Sequence, residues 1–499
     1  MPIAQSIRAD EARFPAAPRR GSGLDRPILL TEAGASGLKP EPSRRRSHRW
    51  LVSVAITSIV IVALAFRLHG AEVNATRNPP RKLFGDEPGY SSIANGLLDG
   101  LGFTWPGRVP LYPTWVATVY AFNDRNPYSV PYPQAFLGAL SVYLTFRLGR
   151  LIAGDGPGLL AALCMALSYA QINETHLLYS EILYAPFLLM AAVMLTRALA
   201  EPTVRRFGWA GIWIGLANLV RPTLGAYPMF LLVVIGCFTK FPWRIALKGW
   251  GACFVASWVV ITPWMIHNVV KWKAVLPLAT SHAIVWQGSP EYYHLLVHKR
   301  VPFLTIWNEI LYDEKNPDWH DPGTVEGDRW WTRRGIESIK AEPAVYAKYF
   351  AQKLVYFWVG DPGCDWDNTY PLNWRLLRTW GMKRREIIQI FAIRLLIIPA
   401  LIGVLILRKS WRKFLPIYSI LVFFILLHAA THAEARLSEP LEAFLYIIVC
   451  AAFVHLLRTL FGGHPVPATT TKSTDGDTVD VDPAEYVKRF QAQVNPQLS

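Results

Sequence analysis

The chain is poor in charge and poorer still in cysteine. Only 17% of its 499 residues are Asp, Glu, Lys or Arg, against about 25% in an ordinary soluble domain. Together with a hydrophobic share of 52% and a mean hydropathy of +0.22, this excludes a soluble fold. Cys164, Cys237, Cys253 and Cys450 lie in apolar segments and only Cys364 lies in a hydrophilic one. An intrachain bridge outside the membrane is therefore not expected, and no metal-ligand spacing occurs. The chain also lacks a P-loop, a glycine-rich dinucleotide fingerprint, a zinc motif and a transporter-type internal repeat. Acidic residues are fewer than basic ones, 36 against 51, for a formal charge of +15. In a membrane chain such charges mark topology, and no nucleic-acid partner is expected.

What the chain has in quantity is long apolar runs, each enough as a helix to cross roughly 27 to 30 Å of hydrocarbon. Residues 1–48 are rich in Pro, Gly, Ser and Arg and read as a disordered basic cytoplasmic tail without the apolar core of a signal peptide. The Arg44 to Arg49 cluster before the run from Trp50 to Phe66 places the N-terminus inside and the next loop outside. Spans are expected near 50–66, 133–148, 159–172, 182–199, 209–220, 225–238, 250–266, 387–407, 414–430 and 441–457. Leu111 to Phe122 is too short to cross and suits an interfacial helix. Residues 461–499 read as a second disordered cytoplasmic tail.

The resulting organisation is all-α and polytopic, with about ten transmembrane helices, interfacial helices and one large external loop. Residues 49–267 form a transmembrane body whose first external loop spans 68–130. Residues 268–385 form an external or periplasmic loop subdomain, and 386–460 hold the last membrane helices. Ten of the twenty tryptophans lie between Trp272 and Trp380, which suits an interfacial belt with a few rings free to stack on sugar. Asp361, Asp365 and Asp367, beside Pro362 and Gly363, read as a turn rather than a cation loop.

Alternation of the basic stretches puts Asp86, Glu87, Arg108, Glu181, Arg221, His267 and Arg436 on one outer face. Arginine holds phosphate oxygens in a fixed fork, and a nearby carboxylate can take a proton from an acceptor hydroxyl. Phosphate leaves as a stable anion, so one base suffices. Each residue also has a plainer structural reading. Asp86-Glu87 fits an interfacial turn, Glu181 an acid favoured at a helix start, Arg221 and Arg436 cations reaching out from helix ends; Arg108 and His267 fit structural roles.

Gly85-Asp86-Glu87-Pro88-Gly89-Tyr90, with Pro110-Leu111-Tyr112-Pro113 behind it, resembles the first external loop of the GT-C glycosyltransferases. The likeness is to the dolichyl-phosphate-mannose protein mannosyltransferase and aminoarabinose lipid A transferase group. It continues through Ser180-Glu181-Ile182-Leu183, Leu219-Val220-Arg221-Pro222, Pro263-Trp264-Met265-Ile266-His267-Asn268 and Ala435-Arg436-Leu437-Ser438-Glu439-Pro440. The order of these segments and their common face are more specific than any one of them. Two positions depart from the pattern: His267 stands where relatives often carry arginine, and Leu437 where an aromatic often follows the arginine.

The resemblance implies a GT-C helical bundle in a bacterial inner membrane, with its site facing the periplasm or exterior. It implies sugar transfer, with inversion, from a polyprenyl-phosphate-linked donor to an acceptor glycan, lipid or protein, in contact with membrane lipid. Asp86 carries the catalytic carboxylate, with Glu87 and Glu181 beside it, and Arg221, Arg436, Arg108 and His267 face the donor phosphate. No cofactor is expected, and a divalent metal is not indicated. A lipid-linked glycan flippase, or a glycan polymerase or ligase, remain the alternatives.

Overall fold

The computed structural model describes residues 42–77, 80–281, 283–311, 319–360, 372–379 and 381–461. The expectations for residues 1–41 and 462–499, for Cys364 and for the Asp361, Asp365 and Asp367 turn lie outside them. The first helix, α1, runs Pro42–Ala75, well beyond the apolar run at both ends. Arginine is a good helix former, so nothing in the basic cluster stops it. Two short helices follow outside the first span, α2 (Glu87–Leu98) and α3 (Leu111–Ala121). Then come α4 (Pro131–Ala153), α5 (Asp155–Leu167), α6 (Tyr169–Glu174), α7 (Glu181–Ala200), α8 (Val204–Val220), α9 (Tyr227–Phe238) and α10 (Trp243–Trp272).

The α4 to α5 reversal is made at Gly154, whose φ of +96° is open to glycine and costly for other residues. The span expected over 159–172 is broken at Ser168. There the Ser168 hydroxyl accepts from the Gln171 N–H and restarts the chain as α6. Arg67 of α1, fully buried, donates to the Met165 and Ala166 carbonyls that the end of α5 leaves without helical partners.

Beyond α10 the chain forms α11 (Ile284–Gln287), α12 (Pro290–Tyr293), α13 (Phe303–Ile306), α14 (Val325–Ala341), α15 (Pro343–Val359) and α16 (Trp374–Thr379). Pro343 stands at the first turn of α15, where a missing N–H costs nothing. These pieces enclose an aromatic cluster built on Trp286, Tyr292, Tyr293, Trp331 and Tyr349. The bundle resumes with α17 (Arg384–Arg394), α18 (Ile397–Ile406), α19 (Trp411–Ala430) and α20 (Glu442–Phe461). A 3-10 segment, Ala435–Leu441, joins the last two.

Among the described residues, seven helical stretches are long and apolar enough to cross a membrane: Ser47–Ala75, Pro127–Ala153, Glu181–Ala200, Trp243–Trp272, Arg384–Ile406, Arg408–Ala430 and Ala435–Phe461. The other three expected spans correspond to α5, α8 and α9, with 13, 17 and 12 residues, shorter than the usual spanning length of about 20. The chain is an integral, all-helical membrane protein. Its main core joins α4, α5, α7, α8, α9, α19 and α20. The tightest crossing visible is α8 on α10. A Cβ on Gly211 would stand 2.2 Å from the Cys253 carbonyl oxygen, and one on Gly215 2.7 Å from that of Ser257. Small residues four apart let two backbones approach this closely.

Candidate active site

The polar centre lies at one end of the bundle, where α7 begins, α8 ends and the chain enters α20. Asp86 occupies the N-cap position of α2 but makes no side-chain cap bond. Its carboxylate instead receives Arg108 Nη2 on Oδ1 at 2.6 Å and Arg436 Nη2 on Oδ2 at 2.9 Å. Arg436 continues the chain, its Nε 3.4 Å from Glu181 Oε1. Arg221 Nη1 lies 2.6 Å from the same oxygen, an ion pair outside hydrogen-bond geometry, and it donates to Ser180 Oγ at 3.3 Å. The order is thus Arg108, Asp86, Arg436, Glu181, Arg221, three fixed cations interleaved with two carboxylates.

Aromatic faces hold two of the cations from behind. Arg108 lies 4.9 Å over both the Tyr90 and Trp105 rings, and Arg436 lies 4.8 Å over Tyr179. Such contacts favour a guanidinium that has lost part of its water. Exposure decides which members a ligand reaches: the side chains of Arg108, Asp86 and Arg221 are 26%, 20% and 20% exposed, while Glu181 is 4% exposed. The site opens along the first three and is floored by Glu181.

Burial pushes the Asp86 carboxyl up, but the guanidiniums of Arg108, Arg436 and Arg221 outweigh it and hold it well below the usual carboxylate range. Burial lowers Arg108, yet Tyr90 and Asp86 leave it above its ordinary value. Both groups therefore stay charged at neutral pH.

Glu87 and His267 stand outside this chain. Glu87 is fully buried, and its two oxygens accept four donors. Arg81 gives Nη2 to Oε1 at 2.7 Å and Nη1 to Oε2 at 2.5 Å; the Leu178 and Phe84 amides add bonds of 2.9 and 3.0 Å. It ties the first external loop to the segment leading into α7. His267 stacks on Trp264 at 4.5 Å with 10° between planes, and meets Phe103 edge-on at 5.5 Å. The expected neighbours Asp86 and Glu87 thus point into different environments, because adjacent residues at a helix start face different ways.

Behind Glu181 lies a buried layer that motif reading did not single out. Glu174, Glu439 and Glu442 are all under 4% exposed, and Arg394 donates to Glu439 Oε1 at 2.8 Å. Burial, then Glu439 and Glu181, push the Glu174 carboxyl well above its usual range. Glu174 and Glu439 line a narrow crevice together with Glu181, so this layer adjoins the floor of the site. Only Glu439 sat in a quoted motif; the others gave no spacing signal. Among the described residues, no group of three His, Cys, Asp or Glu is arranged to hold a metal ion.

Residues 108–267 match the family model described as dolichyl-phosphate-mannose-protein mannosyltransferase. A putative mannosyltransferase, YycA, of Bacillus subtilis (strain 168) is 26% identical over 202 residues, 39% of this chain and 27% of that protein. The chain thus spans about a quarter of that relative's length. Among solved structures, the oligosaccharyltransferase AglB of Archaeoglobus fulgidus, in complex with an inhibitory peptide and a dolichol-phosphate, superposes with a TM-score of 0.50. The overlap covers 89% of this chain and 54% of that one at 13% identity. ArnT from Cupriavidus metallidurans, bound to undecaprenyl phosphate, gives a TM-score of 0.38 at 12% identity, over 82% and 78% of the two chains. The chain is a polytopic helical membrane protein whose fold is like that of AglB, and its residues 108–267 resemble the dolichyl-phosphate-mannose-protein mannosyltransferase family.

Proposed function

We propose that the protein transfers a sugar from a polyprenyl-phosphate-linked donor to an acceptor hydroxyl, with inversion, at the outer face of a bacterial inner membrane. The observation that carries this reading is the alternating chain Arg108, Asp86, Arg436, Glu181, Arg221. Its three cations exceed its two carboxylates by one, which suits a single phosphodiester anion. Arg436 and Arg221 take the donor phosphate, Glu181 holds both in place from the floor, and Asp86 accepts the proton of the attacking hydroxyl.

A carboxylate clamped by two guanidiniums is a weak base. When the donor phosphate draws Arg436 away, Asp86 loses part of the positive field and gains basicity where it is needed. Donor binding thereby switches the base on. The acceptor oxygen attacks the anomeric carbon as the bond to phosphate oxygen breaks, and the electron pair leaves with polyprenyl phosphate.

The outward placement rests on charge. Arg205, Arg206, Arg244, Arg408, Lys409, Arg412 and Lys413 lie toward the helix ends opposite the site, which the positive-inside rule assigns to the cytoplasm. The acceptor is a glycan, lipid or protein hydroxyl. Purified protein given short-chain polyprenyl-phosphate monosaccharides and envelope acceptors should release polyprenyl phosphate and form a glycoside. Transport of the intact lipid-linked sugar without cleavage would refute the reading in favour of a flippase, and a strict need for a pyrophosphate-linked oligosaccharide in favour of a polymerase.

A further inference from the structure

Arg108 is held on Asp86 by few contacts. One hydrogen bond joins them, at 2.6 Å, and the Arg108 Nε is buried with no partner among the described residues. Its placement therefore leans on the two rings against it, Tyr90 and Trp105, each 4.9 Å away. Tyr90 belongs to α2, the helix that Asp86 starts, and packs edge-on against Tyr112 at 4.7 Å. Trp105 belongs to the link between α2 and α3 and is anchored on a distant part of the chain. Its Nε1–H donates to the Gly323 carbonyl at 3.0 Å, in the turn that leads into α14. That turn is closed on itself. The Gly323 N–H reaches Asp321 Oδ1 at 2.8 Å, and the Thr324 hydroxyl caps α14 by accepting from the Gly327 N–H at 3.0 Å. A second strut lies beside the ring, where the Thr280 amide donates to the Pro106 carbonyl at 3.1 Å.

Two glycines seat the indole. A Cβ on Gly323 would stand 2.6 Å from Trp105 Nε1, and one on Gly107 2.7 Å from Cζ2. A shift of the turn over 321–324 must therefore move the ring or break its bond, and the ring carries Arg108 with it. Resting on the glycosyl-transfer reading, we propose that Trp105 is a positioning residue that couples this turn to the Arg108–Asp86 pair. The segment between α10 and α17 thereby sets how Arg108 lies on the Asp86 carboxylate. Arg436 and Arg221, which take the donor phosphate in that reading, have no part in the Trp105 contact. The coupling thus acts on transfer and leaves donor binding alone.

The test uses the full-length protein in nanodiscs, with decaprenyl-phosphate mannose, glucose and arabinose as donors and solubilised envelope material as acceptor. Trp105→Phe keeps a ring against Arg108 but drops the N–H, and should lower kcat about three- to tenfold. Trp105→Leu removes the aromatic face too and should lower it by up to about 10²-fold. In both, the donor KM and the titrated affinity for decaprenyl phosphate should stay within about twofold, a split that general destabilisation would not give. Gly323→Ala presses on the ring from the other side and should lower kcat about three- to tenfold. In the Trp105→Phe protein, which lacks Nε1, the same change should cost less than about twofold. Equal losses from Gly323→Ala in the two backgrounds would overturn the coupling. So would wild-type kcat in both Trp105→Phe and Gly323→Ala, or a loss confined to decaprenyl phosphate binding. These outcomes leave the glycosyl-transfer reading standing, whereas wild-type protein that transfers from none of the three donors overturns that reading and the coupling together.

Discussion

On the proposed mechanism, Asp86→Asn separates catalysis from phosphate binding, because the same carboxylate would serve one and oppose the other. Asparagine keeps the size and one carbonyl oxygen but removes the base, so transfer should fall by roughly 10²- to 10⁴-fold. The charge of the five-residue chain rises by one. A phosphate bound on the far side of the Arg436 guanidinium would sit about 7 Å from the Asp86 carboxylate, a repulsion of about 2 kcal/mol at an effective dielectric of 20. Asp86 is 20% exposed, so screening trims this to about 1 kcal/mol or somewhat more. The mutant should therefore bind decaprenyl phosphate about five- to thirtyfold more tightly while transferring almost no sugar. Titration of detergent-purified protein with decaprenyl phosphate, beside a transfer assay on the same preparation, reads both quantities. Weaker binding in Asp86→Asn would mean that Asp86 holds the arginines in place for the phosphate rather than competing with it. Near wild-type transfer would remove Asp86 from the chemistry.

Three further outcomes follow from packing and burial. Glu87→Gln removes the charge and one of the two acceptor oxygens shared by Arg81 and the Leu178 and Phe84 amides and should cost about 3 kcal/mol or more, seen as a lower melting temperature by light-scattering thermal denaturation in detergent; a melt matching wild type would refute its tethering role. Gly211→Val forces a side chain into the Cys253 backbone and should abolish a monodisperse peak in size-exclusion chromatography, whereas Gly208→Ala, which meets nothing within 4 Å, should elute normally. Burial lowers His176 to about 4. The unfolded chain, titrating near 6.5, then binds more protons than the folded one, so stability should fall by up to about 3 kcal/mol as pH drops from about 6.5 to 4 and level off below. His176→Leu should flatten that part of the melting curve.

The helical bundle was legible because apolar runs and basic clusters are local properties. Arg44 to Arg49 and Arg408 to Lys413 give sidedness without any tertiary knowledge, and sidedness alone sends Asp86, Arg221 and Arg436 to one face. The partnership of Asp86 with Arg436, 350 residues apart, was legible only as that shared face. The break at Ser168 was not, since it depends on Arg67 arriving from another helix to satisfy the carbonyls of α5. Only the family resemblance, not the residues by themselves, set Asp86 apart from Glu87 in the sequence. Their difference comes from Arg81 and the Leu178 amide, which reach Glu87 and not its neighbour. His267 sits in a quoted motif, yet stacking on Trp264 holds its ring outside the ion-pair chain. Trp105 and Gly323 sat in no quoted motif, and their bond appears only once the turn ahead of α14 is folded onto the link between α2 and α3.

In the proposed reaction, charge also bears on which donor the site would accept and on what would limit turnover. A polyprenyl-phosphate sugar is a phosphodiester with one negative charge, matching the single excess cation among Arg108, Arg221 and Arg436 against Asp86 and Glu181. A pyrophosphate-linked donor brings a second charge, which would need another cation that the five-residue chain does not contain. After transfer the leaving group becomes a phosphomonoester, carrying about −1.5 to −2 near neutrality. The product is therefore held more strongly than the donor by the same arginines. In the proposed cycle Asp86 would offset this hold: once it has lost its proton, its restored negative charge would compete for Arg436 and help to expel polyprenyl phosphate. On that proposal a carboxylate placed among the phosphate-binding arginines serves twice in one cycle, as base while the donor is bound and as competitor when the product must leave.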